Sequence, residues 1–443
     1  MDAVYQFLVI GTRLAAFVRE LEQGEPHVKR VGLMRFKPKR PKEQRVARRK
    51  PRDLTSEGTF MRRVLAITLV CASAVLVSQA QAPAGRTPSG GTPSADRARN
   101  VILFIGDAGG LPTLNAASLY GYDRPQALFI QRMPGIALMD TSTAGNWVTD
   151  SAAGMTAIVT GRKTHNGVLS QADDAVRGQK DGETLKTILE YAEERGLSTA
   201  VITNDSVAGA TPAACYAHVN NRSSTASIVS QLGKPRAGNG VDLVLGGGRS
   251  AIRKAADAAG LDLDAMLRGA GYALLISPEA VGPDSTRAVG LTDASDYDLS
   301  AVVANAVSAL SRNPKGYFLM VEWDLHTDDV KKGLDRTLVV DRVIRETVEK
   351  AGPRTLVIFT ADHSFDIRLR GGAKGLPLLP EPTSGSEPPA TPPLRVDGGH
   401  TGEEVVVAAQ GPGARRVHGF IANTDLFRIM MAAYGWTEAA AAR

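Results

Sequence analysis

Three short apolar runs in the 443-residue chain end in acidic and imidazole side chains. Val101–Ile105 leads into Gly106-Asp107, Tyr317–Val321 into Glu322-Trp323-Asp324-Leu325-His326, and Leu356–Thr360 into Ala361-Asp362-His363. A further histidine, His400, stands in Gly398-Gly399-His400-Thr401-Gly402. In open parallel sheets ligands bind outside the carboxyl ends of the strands, so residues that follow such runs are placed for chemistry. Carboxylate with imidazole is a donor set suited to zinc. Several carboxylates on one sheet edge repel one another unless cations neutralise them. Singly, each of these Asp residues reads equally well as a cap or a loop residue; together they predict a metal cluster.

A nucleophile candidate is Ser151, within Thr149-Asp150-Ser151-Ala152-Ala153-Gly154-Met155. The small residues after it suit a tightly packed helix start. A serine there has its oxygen in the positive end of the helix dipole, which favours an anionic nucleophile and a bound phosphate. The same position also suits a plain N-cap.

These residues need a scaffold. Thr199–Thr203, Leu243–Leu245 and Val405–Ala409 join the three runs above as buried parallel strands. Helical spacing links Leu185, Ile188, Leu189 and Ala192 ahead of Gly196, and recurs in Ala301–Leu310, Thr337–Lys350 and Thr424–Tyr434. Strands alternating with helices predict an α/β fold, a mostly parallel central sheet with helices on both faces. The Pro-rich stretch Leu376–Pro393 is expected to be a surface loop. One domain over 100–443 is the simplest organisation.

Composition narrows the class. With 43% hydrophobic and 22% charged residues the chain is not collagen-like, coiled-coil or wholly disordered. Its two cysteines exclude a disulfide-stapled scaffold, and Cys215 in Ala213-Ala214-Cys215-Tyr216-Ala217 reads as part of a packed helix face. The net charge of +6 comes from the first 82 residues, and the chain from residue 83 onward is net negative, so no nucleic-acid partner is expected. Met61-Arg62-Arg63, the uncharged run Val64–Val77 and Ser78-Gln79-Ala80-Gln81-Ala82 make residues 61–82 a secretory signal peptide, too short to span a membrane. Residues 1–60 are read as an upstream extension outside the fold, with translation starting at Met61, and 83–99 as a linker. The expected location is periplasmic or secreted, with no membrane attachment after cleavage.

Six blocks, in order, resemble the alkaline phosphatase family. They are Gly106-Asp107; Thr149-Asp150-Ser151-Ala152-Ala153 with Thr160-Gly161-Arg162-Lys163-Thr164-His165-Asn166-Gly167; Ala210-Thr211-Pro212-Ala213-Ala214; Ala217-His218 with Arg222; Thr360-Ala361-Asp362-His363; and His400-Thr401-Gly402. The resemblance implies an alkaline phosphatase-like fold, two Zn2+ and one Mg2+, small-molecule phosphate monoesters as substrates, and a homodimer as the usual state. It implies that Ser151 is transiently phosphorylated, that Asp107, Asp362 and His363 hold the zinc that binds the Ser151 oxygen, and that Arg222 grips two phosphate oxygens. The second zinc, with His400 among its ligands, would stabilise the leaving oxygen and then activate water.

Two departures from the family pattern matter. The family usually has Asp or His two residues before the Thr of Ala-Thr-Pro; here Gly209 stands there, leaving Asp107, Thr211 and Glu322 for magnesium, with water filling the gap and weaker binding expected. The segment after Tyr317–Val321 is also compressed. The family's Asp and His offsets fall on Thr327 and Lys331, so Asp324 and His326 are assigned to the second zinc, with Asp328 as the fallback and Asp329 as a helix cap. His165 and His218 are expected to be packed or hydrogen-bonded, and Trp323 to wall the site or fill core. A sulfatase is disfavoured because Pro and Arg are missing two and four residues after Ser151. The alternatives kept are a phosphodiesterase of the same superfamily and a non-catalytic metal- or phosphate-binding relative.

Overall fold

The structure is a computed structural model that describes residues 97–379 and 393–437. The extension 1–60, the signal peptide 61–82, residues 83–96 of the linker and residues 380–392 of the Pro-rich stretch lie outside the described residues.

Twelve strands are present among the described residues: β1 (Asn100–Asp107), β2 (Gly135–Asp140), β3 (Ser198–Ser206), β4 (Leu243–Gly247), β5 (Ala273–Leu275), β6 (Ala288–Leu291), β7 (Tyr317–Asp324), β8 (Thr355–Thr360), β9 (Ser364–Leu369), β10 (Leu394–Thr401), β11 (Val405–Gln410) and β12 (His418–Ala422). Ten form one sheet in the order β12-β2-β11-β8-β1-β7-β3-β4-β6-β5, and β9 pairs with β10 in a separate antiparallel ribbon. The fold is therefore the α/β class expected, and β8, β1, β7 and β3 lie side by side in parallel register.

One strand departs from the expectation. Val405–Ala409 lies in β11, which runs antiparallel to both β8 and β2. The reason is the ribbon. Ser364 and Thr401 are register partners at its base, so the chain leaves β8, folds out and back, and re-enters the sheet at the edge it left. A parallel return would need a crossover of a dozen or more residues to the opposite edge.

Both faces of the sheet are covered, as the continuous apolar runs require. Along β1, Val101, Leu103 and Ile105 belong to one core, while Ile102 and Phe104 belong to the other. The helices that matter for the site are α1 (Leu111–Tyr122), α2 (Ser151–Thr160), α3 (Ala210–Tyr216), α4 (Leu299–Leu310), α5 (Val330–Lys350) and α6 (Asn423–Tyr434). The buried stripe of α5 (Gly333, Leu334, Arg336, Thr337, Val340, Asp341, Val343, Ile344 and Thr347) follows the helical period. Asp329 caps it by accepting from Lys332 N, as expected. Cys215 is fully buried in α3. Ala98, ahead of the expected domain start, is buried, and its N–H donates to Ala433 O at 2.8 Å. Among the described residues no helix is long and apolar enough to cross a membrane.

Helix α2 lies so close to the exit of β8 that a Cβ on Gly154 would stand 2.8 Å from the Asp362 carbonyl oxygen. Gly154→Ala is expected to lower unfolding free energy by about 1–3 kcal/mol through this overpacking, read from urea denaturation. A second test concerns pH. Burial pushes the Glu193 carboxyl up to about 8 from an ordinary 4.5, although Thr199 donates to it and partly offsets the rise. The folded state thus keeps a proton that the unfolded chain gives up. The stability contributed is complete below pH 4.5 and is lost as pH rises through about 8. Glu193→Gln should flatten the stability–pH curve over that window; an unchanged slope would assign the proton elsewhere.

Candidate active site

Strand register does the first part of the positioning. Asp107 at the end of β1 faces Asp324 at the end of β7, Thr203 of β3 pairs with Glu322 of β7, and Ile105 sits between Glu322 and Thr360. The chain then turns sharply after β1 with Ala108 in the left-handed region at φ 64°, a conformation that costs an alanine roughly 1 kcal/mol. That turn aims the Ala108 N–H at Asp362 Oδ1, 3.4 Å away, so the exits of β1 and β8 are tied together.

Ser151 is the first residue of α2 and only 4% exposed. The helix cap is Asp150, whose side chain accepts from Ala153 N, so capping does not occupy the Ser151 hydroxyl. That hydroxyl lies 3.3 Å from His363 Nε2 and 3.5 Å from Asp107 Oδ2. His363 Nε2 in turn lies 3.2 Å from Asp107 Oδ1 and 3.5 Å from Asp362 Oδ2. Both of these oxygens are buried without a well-formed hydrogen bond. Asp107, Asp362 and His363 present donor atoms all within 4.8 Å of one another, and so do His326, His363 and His400. His363 is shared by the two groups, and its ring stacks on His400 with centroids 3.7 Å apart.

Asp324 stands beside these groups. Its Oδ1 is 2.8 Å from His326 Nδ1, and its Oδ2 accepts from Arg336, which also donates to Asp296 at 2.7 Å. Arg336 is 7% exposed. A guanidinium buried on the inner stripe of α5 fixes Asp324 from behind, as outer partners of metal ligands do. Asp328 is exposed and joins neither donor group among the described residues. Glu322 is buried, accepts from Thr203 Oγ1 and has the Thr211 hydroxyl beside it. Arg222 donates from Nη1 to Asp150 Oδ2 at 3.0 Å, which holds the guanidinium at the residue next to Ser151, and among the described residues its other side-chain N–H groups have no hydrogen-bond acceptor.

The charges show how tightly the site is loaded. Burial pushes Asp107 up, but the close approach and charge of His363, aided by His326 and His400, outweigh it and hold that carboxyl well below the usual range. Burial and then the Asp107 charge push Asp362 up to about 6. Burial, Asp107 and Asp205 raise Glu322. His363 resists its own burial because Asp362 and Asp107 surround it, and it rises to about 9. Excess negative charge is thus balanced by retained protons. A divalent cation at such a cluster competes with those protons, and the buried oxygens lacking partners suit that exchange. The Asp–His groups offer the N/O donors of zinc, while Asp107, Thr211 and Glu322 offer the oxygens of magnesium.

The other sequence assignments fall away from this centre. His218 bonds Glu190 at 3.0 Å and Ser170 O at 2.9 Å, and His165 bonds Asp173 O at 3.0 Å. Trp323 is buried edge-on to Tyr297 in the core and does not wall the site. The sequence reading missed Asp150, whose Asp-Ser-Ala-Ala setting is itself a capping signal. It also missed Arg336 and Thr203, which carry no local signal for their roles, and Asp205, a carboxylate two residues past the Thr199–Thr203 run.

Comparison with known proteins places the chain in a family. The alkaline phosphatase family model matches residues 98–272 and 286–382. The chain is 31% identical to the streptomycin-6-phosphate phosphatase of Streptomyces griseus, over 82% of this chain and 95% of that one. It is 28% identical to alkaline phosphatase 4 of Bacillus subtilis, over 75% and 88%. A variant of the alkaline phosphatase from the Antarctic bacterium TAB5, solved with Mg bound in its M3 site, superposes with a TM-score of 0.64 at 25% identity, covering 77% of this chain and 99% of that one. With the family model matched across most of the folded chain and a relative above 30% identity spanning it, this protein is a phosphatase and belongs to the alkaline phosphatase family.

Proposed function

We propose that the chain hydrolyses small phosphate monoesters through a phosphorylated Ser151, at a site taking two zinc ions and one magnesium ion, in an exported protein. The observation that carries this reading is the Ser151 hydroxyl, uncapped at the positive end of α2 and 3.3 Å from His363 in an Asp–His cluster. Asp107, Asp362 and His363 would hold one zinc, Asp324, His326 and His400 the other, and Asp107, Thr211 and Glu322 the magnesium. Bound there, the cations supply positive charge that favours the Ser151 alkoxide and offsets charge on the phosphoryl group in flight.

The protein groups do the rest. Substrate phosphate enters at the N-terminus of α2, where dipole and free N–H groups favour an anion. Arg222, steadied by Asp150, turns its uncommitted N–H groups on the non-bridging oxygens and strengthens its hold as charge spreads over them. Ser151 Oγ attacks phosphorus in line, its bond to phosphorus forming as the bond to the alcohol oxygen breaks. Water then attacks phosphoserine in line, releasing phosphate and restoring Ser151. Binding only the phosphoryl end leaves the alcohol free to vary.

Ser151→Ala should lower p-nitrophenyl phosphate hydrolysis by about a thousandfold or more while zinc content stays unchanged. Acid quenching of the wild type with radiolabelled phosphate should leave label on the peptide containing Ser151. Arg222→Ala should lower kcat/KM by roughly ten- to a hundredfold, the worth of lost charge-assisted bonds. Equal rates for wild type and Ser151→Ala would remove the nucleophile from this account.

A further inference from the structure

Glycine at 209 looks like a ligand lost, and its surroundings explain why no side chain stands there. Its backbone is extended, at φ −61° and ψ 161°, so conformation does not demand glycine. Space does. A Cβ would sit 2.7 Å from the Ser206 carbonyl oxygen, which already accepts the Gly209 N–H at 2.7 Å, and 3.1 Å from Asp205 Oδ2. The carboxylate of Asp205 therefore lies where a side chain at 209 would begin.

Asp205 is also tied to the rest of the oxygen cluster. Its N–H donates to Thr203 Oγ1 at 2.9 Å, and that same hydroxyl donates to Glu322. Asp205 itself is exposed to solvent, and the charges of Asp107, Asp324 and Arg222 lie close enough to act on its carboxylate. Thr211, 1% exposed, has its hydroxyl beside Glu322 yet without a partner of hydrogen-bond geometry. A buried hydroxyl oxygen beside a carboxylate, with no partner of hydrogen-bond geometry, is what an oxygen-coordinated cation would complete.

We propose that Asp205 supplies the carboxylate that position 209 does not, joining Asp107, Thr211 and Glu322 around one divalent cation. This rests on the metal-dependent reading of the site given above, and it replaces the expectation of a weakened magnesium site with a complete one whose ligand comes from four residues upstream. The Ser206–Gly209 turn makes the exchange sterically necessary: the chain closes too tightly at 209 for a side chain, and the same closure brings Asp205 to the place.

The test is calorimetric titration of zinc-saturated protein with Mg2+, paired with the electron paramagnetic resonance spectrum of Mn2+ bound in its place. Asp205→Asn should weaken Mg2+ binding about tenfold or more and alter the Mn2+ spectrum, with zinc content and melting temperature unchanged. Asp205→Glu, which keeps the charge, should retain more affinity than Asp205→Asn. Glu322→Gln serves as the reference for loss of the site. If Glu322→Gln abolishes binding while Asp205→Asn binds as tightly as wild type, the cation site stands and the role of Asp205 falls. If the zinc-saturated wild type binds neither Mg2+ nor Mn2+, the cation site itself falls, and the proposal with it.

Discussion

Four carboxylates, Asp107, Glu322, Asp324 and Asp362, stand at one edge of a sheet whose interior is dry on both faces, and the exposed Asp205 adds its charge beside them. Their mutual repulsion in that setting has to be answered by positive charge. The bare protein answers with retained protons and two arginines. His363 holds its proton to about 9, Asp362 ionises only near 6, Arg336 grips Asp324, and Arg222 grips Asp150. This balance suits the edge to divalent cations, the reading proposed above. It also surrounds the one serine hydroxyl at the head of α2 with the groups that would sharpen it.

Precision comes from backbone more than from side-chain reach. Parallel register sets Asp107 opposite Asp324 and Thr203 opposite Glu322, so the acidic groups are fixed by the ladder. The ribbon β9–β10 starts at the exit of β8 and returns His400 opposite Phe365, close to His363, and the His363–His400 stack follows from that pairing. Each chemically placed group has a partner behind it: Asp150 for Arg222, Arg336 for Asp324, Thr203 for Glu322. Such support is what keeps reacting groups in place on a rigid scaffold.

The strand ends were legible because a buried parallel strand is a short β-branched run, and the residue after it is where such sheets do chemistry. Asp107, Glu322, Asp362 and His363 all follow from that one rule, and Ser151 from a second, the small-residue helix start that follows it. The direction of β11 was not legible, because it depends on where a ribbon closes, a fact of tertiary pairing absent from the local pattern. Nor was the partnership of Asp324 with Arg336, since a charged residue on a helix reads as solvent-facing until the packing of α5 is known. Edge strands β5 and β12, only 3 and 5 residues long and exposed along much of their length, are too short for an apolar run to mark them as strands. Gly209 marks a different limit: a residue type reports that a side chain is missing, but only coordinates show that the Asp205 carboxylate stands beside the gap.

The central claim is that this edge holds metal ions between the named side chains. Anomalous diffraction at the zinc absorption edge, from crystals of protein purified with zinc, tests it without reference to turnover. The account predicts two zinc peaks per chain, one among Asp107, Asp362 and His363 beside the Ser151 oxygen, the other against His326 and His400. Anomalous density only at surface histidines, with Ser151 and its neighbours free of metal, would contradict it.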